Sequence, residues 1–258
     1  MSKILITGAS GFIGGHLKKQ LSQIHEVTTP THQELDLTDE RKTFLASNDF
    51  DWIIHCASVG GSRLKNDQDC TDNILMIQNI LKFRKNAKFL TFGSGAEFDF
   101  GLENKYGFSK RYIRNMCQKE KNCFIVRIFG CFGIGEPLTR FPTTCIKNAR
   151  TNRDIVVHKH QLYDFMHVMD ICKLVKLYIN HEIFFPSLDA CYSNTKISLY
   201  DLANYIRDIS YSSSKIILEN CDSVAPYVGL CNYNIAHQFG SDADLKLRIK
   251  LFVKELYE

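Results

Sequence analysis

The chain begins with a short apolar run, Lys3-Ile4-Leu5-Ile6-Thr7, followed by an amphipathic stretch from Phe12 to Leu21 and a second short run, Glu26-Val27-Thr28. The same rhythm continues through Asp51-Trp52-Ile53-Ile54-His55, Asn73 to Phe83, Lys88-Phe89-Leu90-Thr91-Phe92, Lys105 to Glu120 and Cys123-Phe124-Ile125-Val126-Arg127. Short segments apolar at successive positions are strands buried on both faces, and the amphipathic stretches are the helices that cover them. The pattern predicts an α/β fold with a doubly wound parallel sheet, right-handed crossovers and ligands at the carboxyl ends of the strands.

After about residue 132 the rhythm loosens into loops and helices that carry Pro137, Pro142, Pro186 and Pro226. Asp154 to Val157 and Tyr163 to Val168 read as extended and are expected to return to the first domain. The expected organisation is a nucleotide-binding domain over 1–132, with 154–178 returning to it, and a small interwoven substrate-binding lobe from 133–153 and 179–258. A chain of 258 residues accommodates one such core with an added lobe, but not two full-sized domains.

Composition adds little: 45% hydrophobic and 23% charged residues describe an ordinary globule. The net charge of +4 comes from scattered basic residues, so a nucleic-acid partner is not expected. The opening MSKILITGASGFIGG lacks the apolar core of a cleavable signal, and no run approaches the roughly 18 apolar residues needed to span a bilayer. A cytoplasmic protein without membrane contact is expected. Ten cysteines, among them Cys221 and Cys231, occur without a C-x-x-C pair, so reduced thiols, no disulfide and no metal are expected.

Gly8, Gly11 and Gly14 lie between the first strand and the first helix. A tight turn needs glycine there, a pyrophosphate approaches backbone N–H groups only where no Cβ intervenes, and the helix amino terminus faces the anion. Gly8, Ser10, Gly11, Phe12, Ile13 and Gly14 are therefore candidates for binding a dinucleotide. The second strand ends Thr28-Thr29-Pro30-Thr31-His32 without the carboxylate that grips the ribose of NAD. This favours NADP over NAD, with His32 near the extra phosphate, unless Glu34 substitutes as a ribose ligand; Asp36 and Leu37 follow at the same edge.

Tyr106 and Lys110 are four residues apart on a predicted helix, hence on one face. An ammonium beside a tyrosine favours its phenolate and fits it for proton transfer near neutral pH. The same spacing recurs at Tyr192/Lys196 and Tyr211/Lys215, which are expected to be ordinary surface pairs. Position separates the first pair, because it follows a buried strand ending Gly93-Ser94-Gly95 that would deliver the Ser94 hydroxyl to the same sheet edge. The alternative for Ser94 is a turn residue bonding its own backbone.

With the glycine turn, Ser94, Tyr106 and Lys110 in this order, the chain resembles the extended short-chain dehydrogenase/reductase family of Rossmann enzymes, the NAD-dependent epimerases, dehydratases and reductases of sugar nucleotides. The likeness runs from residue 3 to about residue 172. It includes Leu35-Asp36-Leu37-Thr38-Asp39, Ile54-His55-Cys56-Ala57-Ser58, Asn73, Arg127-Ile128-Phe129-Gly130-Cys131-Phe132-Gly133 and Asp164-Phe165-Met166-His167-Val168-Met169-Asp170. Ser58-Val59-Gly60-Gly61 looks like the GDP-fucose synthase branch. The resemblance implies Ser94, Tyr106 and Lys110 as catalytic residues. It adds Cys56, Ala57, Ser58 and Asn73, with Tyr106 and Lys110, to the cofactor contacts, and implies a homodimer formed by the helices bearing Asn73 and Tyr106.

Departures narrow the implied chemistry. The acid and base pair of the dehydratases falls at Gly95 and Ala96, and Ala96 also stands where the epimerising cysteine of GDP-fucose synthase is found, leaving Cys131 as a replacement candidate. The substrate-side asparagine is Gly130, and the arginine before Asp164-Phe165 is Tyr163. The expected function is NAD(P)-dependent reduction of the 4-keto group of a nucleotide-activated deoxy sugar for polysaccharide synthesis. The alternatives are a 4-epimerase with tightly bound NAD and a non-catalytic NAD(P) sensor.

Overall fold

The structure, a computed structural model, describes residues 1–46, 49–61, 64, 66–99, 104–192, 196–219, 222, 224–230 and 244–257. The first half runs β1 (Lys3–Thr7), α1 (Phe12–Leu21), β2 (Glu26–Thr28), α2 (Glu40–Ala46), β3 (Trp52–His55), α3 (Asp67–Phe83), β4 (Lys88–Ser94), α4 (Lys105–Cys117) and β5 (Cys123–Ile128). The second half runs β6 (Gly130–Phe132), α5 (Phe141–Arg150), β7 (Ile155–Val157), β8 (Leu162–Tyr163), β9 (Phe165–His167), α6 (Val168–Ile179), β10 (Ser187–Ala190), β11 (Ile197–Ser198), α7 (Leu199–Ile209), β12 (Ile216–Leu218) and α8 (Leu245–Glu255).

Six strands form one sheet in the order β10-β5-β4-β3-β1-β2. The β2–β1, β1–β3 and β3–β4 pairs are parallel, with Ile4 opposite Trp52 and Thr7 opposite His55. From β1 the chain goes to β2 on one side and then to β3 on the other. That reversal opens a crevice at the carboxyl end of β1, where the glycine turn lies. All four residues of β3 are buried, as a sheet covered on both faces requires. On one face Leu5, Ile53, Phe89 and Ile125 pack with Ile77 and Ile80 of α3 and Ile113 and Cys117 of α4. Helix α3 starts six residues before the expected Asn73, because the Asn66 side chain accepts from Asp69 N–H and caps it.

The chain divides into two compact units, the first comprising Met1–Arg127 and Ile171–Leu188, the second Ile128–Asp170 and Asp189–Glu258. The segment that rejoins the first unit is thus 171–188, where 154–178 was expected. The reason is strand pairing: β7 lies parallel to β12 and β9 parallel to β6, all within the second unit. That unit is tied together by Arg248 of α8, whose Nε and Nη2 each donate to the Asp170 carboxylate at 2.7 Å. Tyr192 donates to the same carboxylate at 2.5 Å.

No helix among the described residues is long and apolar enough to cross a membrane. The eight cysteines among the described residues form no disulfide, and Cys221 and Cys231 lie outside the described residues.

Candidate active site

The turn after β1 is built around Gly8, which has φ +70° and whose Cβ, were there one, would stand 2.5 Å from the Ala57 nitrogen. Any side chain here is excluded both by the left-handed backbone and by the segment after β3. Gly8 O accepts from Gly11 N–H at 3.0 Å, closing the turn, and α1 begins directly after Gly11. This turn, at the amino-terminal end of α1, lines a cavity of about 720 Å³ in the first unit. The cavity is lined by Gly8, Ser10 and Gly11 from the turn, by His32, Asp36 and Leu37 after β2, and by Cys56, Ala57 and Ser58 after β3.

Phe12, Ile13 and Gly14 do not line this cavity; they form the first turn of α1 behind it. Asn73, expected against the cofactor, is absent from the cavity lining and holds backbone. Its Oδ1 accepts from Val59 N–H at 2.9 Å, and its Nδ2 donates to Val59 O at 2.9 Å and Asp69 O at 2.7 Å. The residue thereby fixes the loop that carries Ala57 and Ser58.

The carboxylates after β2 are engaged locally. Glu34 Oε2 accepts from Thr31 N–H at 2.8 Å and from Thr31 Oγ1 at 2.9 Å, bonds that hold its carboxyl below the usual range. Glu34 is not among the cavity-lining residues. Asp36 does line the cavity, and its Oδ1 accepts from Thr38 Oγ1 at 2.7 Å and Thr38 N–H at 2.9 Å, again lowering its pKa. The cation that reaches the cavity with Thr31 and His32 is Lys18. Sequence reading passed over it, although it stands one helical turn beyond Gly14 on the same face of α1.

Ser94 ends β4 and starts a 3-10 turn over Gly95–Phe98. Its Oγ accepts from Ala96 N–H at 3.2 Å, so the turn-residue reading of this serine is realised. Helix α4 opens at Lys105, with the Asn104 side chain accepting from Gly107 N–H at 2.8 Å. Gly107 was also not singled out from the sequence. A Cβ there would collide with the Ala96 carbonyl, so glycine lets the turn carrying Ser94 close onto the helix carrying Tyr106.

Lys110 Nζ donates to Phe92 O at 2.9 Å and lies 5.7 Å from the centroid of the Tyr106 ring. The helical spacing thus places ammonium and phenol together, and the bond to β4 fixes the ammonium beneath the strand end. Beside it, burial lowers His55 to about 3, with the Lys110 charge acting in the same direction. The ring is neutral, and its Nδ1 lies 2.8 Å from Thr7 Oγ1. Burial raises the neighbouring Cys56 thiol, which favours its protonated form.

The other two tyrosine–lysine pairs serve different ends. Tyr211 is 98% exposed. Tyr192 departs from the expected surface position: it is 2% exposed, bonded to Asp170 and accepting from His167 N–H at 3.1 Å. In the second unit Gly130 and Cys131 sit in β6 opposite Phe165 and Met166. Tyr163 stacks on Phe165 at 5.4 Å and meets Tyr227 at 5.0 Å, forming an aromatic cluster at the position where the resemblance implied an arginine.

CDP-abequose synthase of Salmonella muenchen is 26% identical over 242 residues, 83% of this chain and 83% of that protein. Among solved structures, dTDP-4-dehydrorhamnose reductase of Bacillus anthracis, in complex with NADP, superposes with a TM-score of 0.83 at 18% identity, covering 98% of this chain and 99% of that one. UDP-N-acetylglucosamine 4-epimerase of Bacillus cereus superposes with a TM-score of 0.74 at 15% identity, covering 99% and 95%. Residues 4–184, well over half of the chain, match the NAD dependent epimerase/dehydratase family, and the protein belongs to that family.

Proposed function

We propose that the protein uses NADPH to reduce the 4-keto group of a nucleotide-activated deoxy sugar. The observation that carries this reading is the fixed Tyr106–Lys110 pair beside Ser94, combined with Gly95 and Ala96 where dehydration would need an acid and a base. The dinucleotide, when bound, supplies the hydride. Ser94 Oγ orients the ketone oxygen, and the Tyr106 hydroxyl donates a proton to it as negative charge develops. The Lys110 ammonium, anchored on Phe92 O, stabilises the oxygen left behind. Proton transfer of this kind contributes about 10²- to 10⁴-fold, and orientation of the reactants supplies much of the rest.

The adenosine end fits the cavity beside the turn at Gly8. NADP is favoured because Glu34 is turned onto Thr31, while Lys18, Thr31 and His32 line the same space and suit a 2′-phosphate. The substrate class is taken from the similar proteins, whose names specify CDP- and dTDP-linked sugars. A homodimer through α3 and α4 is part of the reading, supported by the 51% exposed Phe108 and 42% exposed Tyr112 on α4. So is a cytoplasmic location, where free thiols stay reduced.

The test is turnover of dTDP-4-dehydrorhamnose and of CDP- and GDP-linked 4-keto-6-deoxy sugars, with light scattering for the oligomeric state. Stoichiometric consumption of NADPH with at least one substrate is expected. The similarity to a 4-epimerase favours a second reading with the same side chains. Interconversion of 4-hydroxyl epimers with no net consumption, and NAD retained through purification, would establish that reading instead. Binding of NADPH without turnover would leave a sensor.

A further inference from the structure

Glu97 is fully buried, at 0% exposure, in a turn that touches the catalytic centre. Its Oε1 accepts from Ser94 N–H at 3.1 Å. Its Oε2 accepts from Arg127 Nε of β5 at 3.1 Å and lies 3.6 Å from Arg114 Nη1 of α4. Arg127 is itself held, donating to Ser187 Oγ at 3.2 Å and resting 4.9 Å from the centroid of the Phe98 ring. Arg111 Nη1 donates to the Glu97 carbonyl at 3.3 Å.

The spacing on α4 gives this arrangement its meaning. Tyr106, Lys110 and Arg114 follow one another at i, i+4 and i+8, so Arg114 extends the stripe that carries the proton donor and its ammonium. One carboxylate thus joins the backbone of Ser94, the helix of Tyr106 and the neighbouring strand. A buried carboxylate is a costly way to fill space, since an apolar side chain of similar volume is often as stable. What the charge adds is direction: two guanidiniums pull Oε2 one way while Oε1 fixes the Ser94 amide.

We propose that Glu97 is a positioning residue, which through its bond to Ser94 N–H and its ion pairs with Arg127 and Arg114 sets the Ser94 hydroxyl relative to Tyr106. The proposal rests on the catalytic reading of Ser94. Displacing a reacting group by about 1 Å can lower the rate about 10²-fold without altering cofactor binding. Glu97→Gln keeps the size and an acceptor for Ser94 N–H but removes the charge that orients it.

The experiment is a double-mutant cycle of Glu97→Gln and Ser94→Ala, reading kcat, KM and the NADPH dissociation constant with the 4-keto sugar nucleotide turned over best. Glu97→Gln is expected to lower kcat about 10²-fold with NADPH affinity held within about twofold, and to cost less than about threefold in the Ser94→Ala background. A purely structural role would cost the same in both backgrounds, and that result, or undiminished kcat in the single variant, overturns the proposal. If Glu97→Gln does not fold, Arg127→Lys takes its place, since a point charge cannot reproduce the guanidinium's geometry, with the same expected dependence on Ser94. Full activity of Ser94→Ala would defeat the underlying reading of the serine, and Glu97 with it.

Discussion

Glu136 stands ahead of α5 and is 5% exposed. Its Oε1 accepts from Thr143 Oγ1 and, at 3.2 Å, from Thr143 N–H, while Oε2 is buried without a hydrogen-bond partner among the described residues. Burial raises its pKa from 4.5 to about 7, against the Thr143 bonds and the Arg140 charge, which oppose the rise. The folded chain therefore holds this proton to higher pH than the unfolded chain. The stabilisation is fully present below 4.5 and is lost as pH rises toward about 7, a change of about 3 kcal/mol across that interval. Glu136→Gln removes the ionisation. In denaturant titrations the parent should lose about 3 kcal/mol more than the variant between about pH 4.5 and about pH 8. A buried amide left without an acceptor offsets the variant's stability by about 1–3 kcal/mol at every pH, so the difference in slope is the diagnostic quantity. Parallel pH profiles for the two proteins would refute the argument.

Tyr106→Phe should lower kcat by about 10²- to 10⁴-fold in steady-state assays while NADPH titration gives an unchanged dissociation constant. Lys18→Ala should weaken NADPH about tenfold and leave NADH unaffected, the loss of one charged hydrogen bond, measured by cofactor fluorescence. Gly8→Ala should abolish cofactor binding and lower the melting temperature, because the new Cβ meets both a φ of +70° and the Ala57 backbone. Arg248→Leu strips Asp170 of a two-pronged partner and should destabilise the protein by about 3–5 kcal/mol in denaturant melts.

The first half of the fold was legible because parallel strands buried on both faces leave unbroken apolar runs, as in β1, β3 and β4. The second half left no comparable trace. Its strands span two to four residues, too few for a period, and Tyr163 to Val168 reads as one extended piece although α6 starts at Val168. The glycine turn and the Tyr106–Lys110 pair were legible because each depends on contiguous sequence spacing. Asn73 was placed correctly on α3, but its bonds to Val59 were not legible, since they depend on how the loop after β3 folds back. Glu97 gave no signal as a lone acidic residue in a turn; its partners Arg114 and Arg127 are distant in sequence and meet it only across the α4 and β5 packing.

The most direct test of the central claim uses NADPH carrying deuterium at the transferable C4 position of its nicotinamide, incubated with the 4-keto sugar nucleotides and followed by NMR of the sugar. Deuterium at sugar C4, one per molecule of NADPH consumed, is the predicted result. Product without label, or no product in the presence of bound NADPH, would contradict the assignment of this protein as a 4-keto reductase.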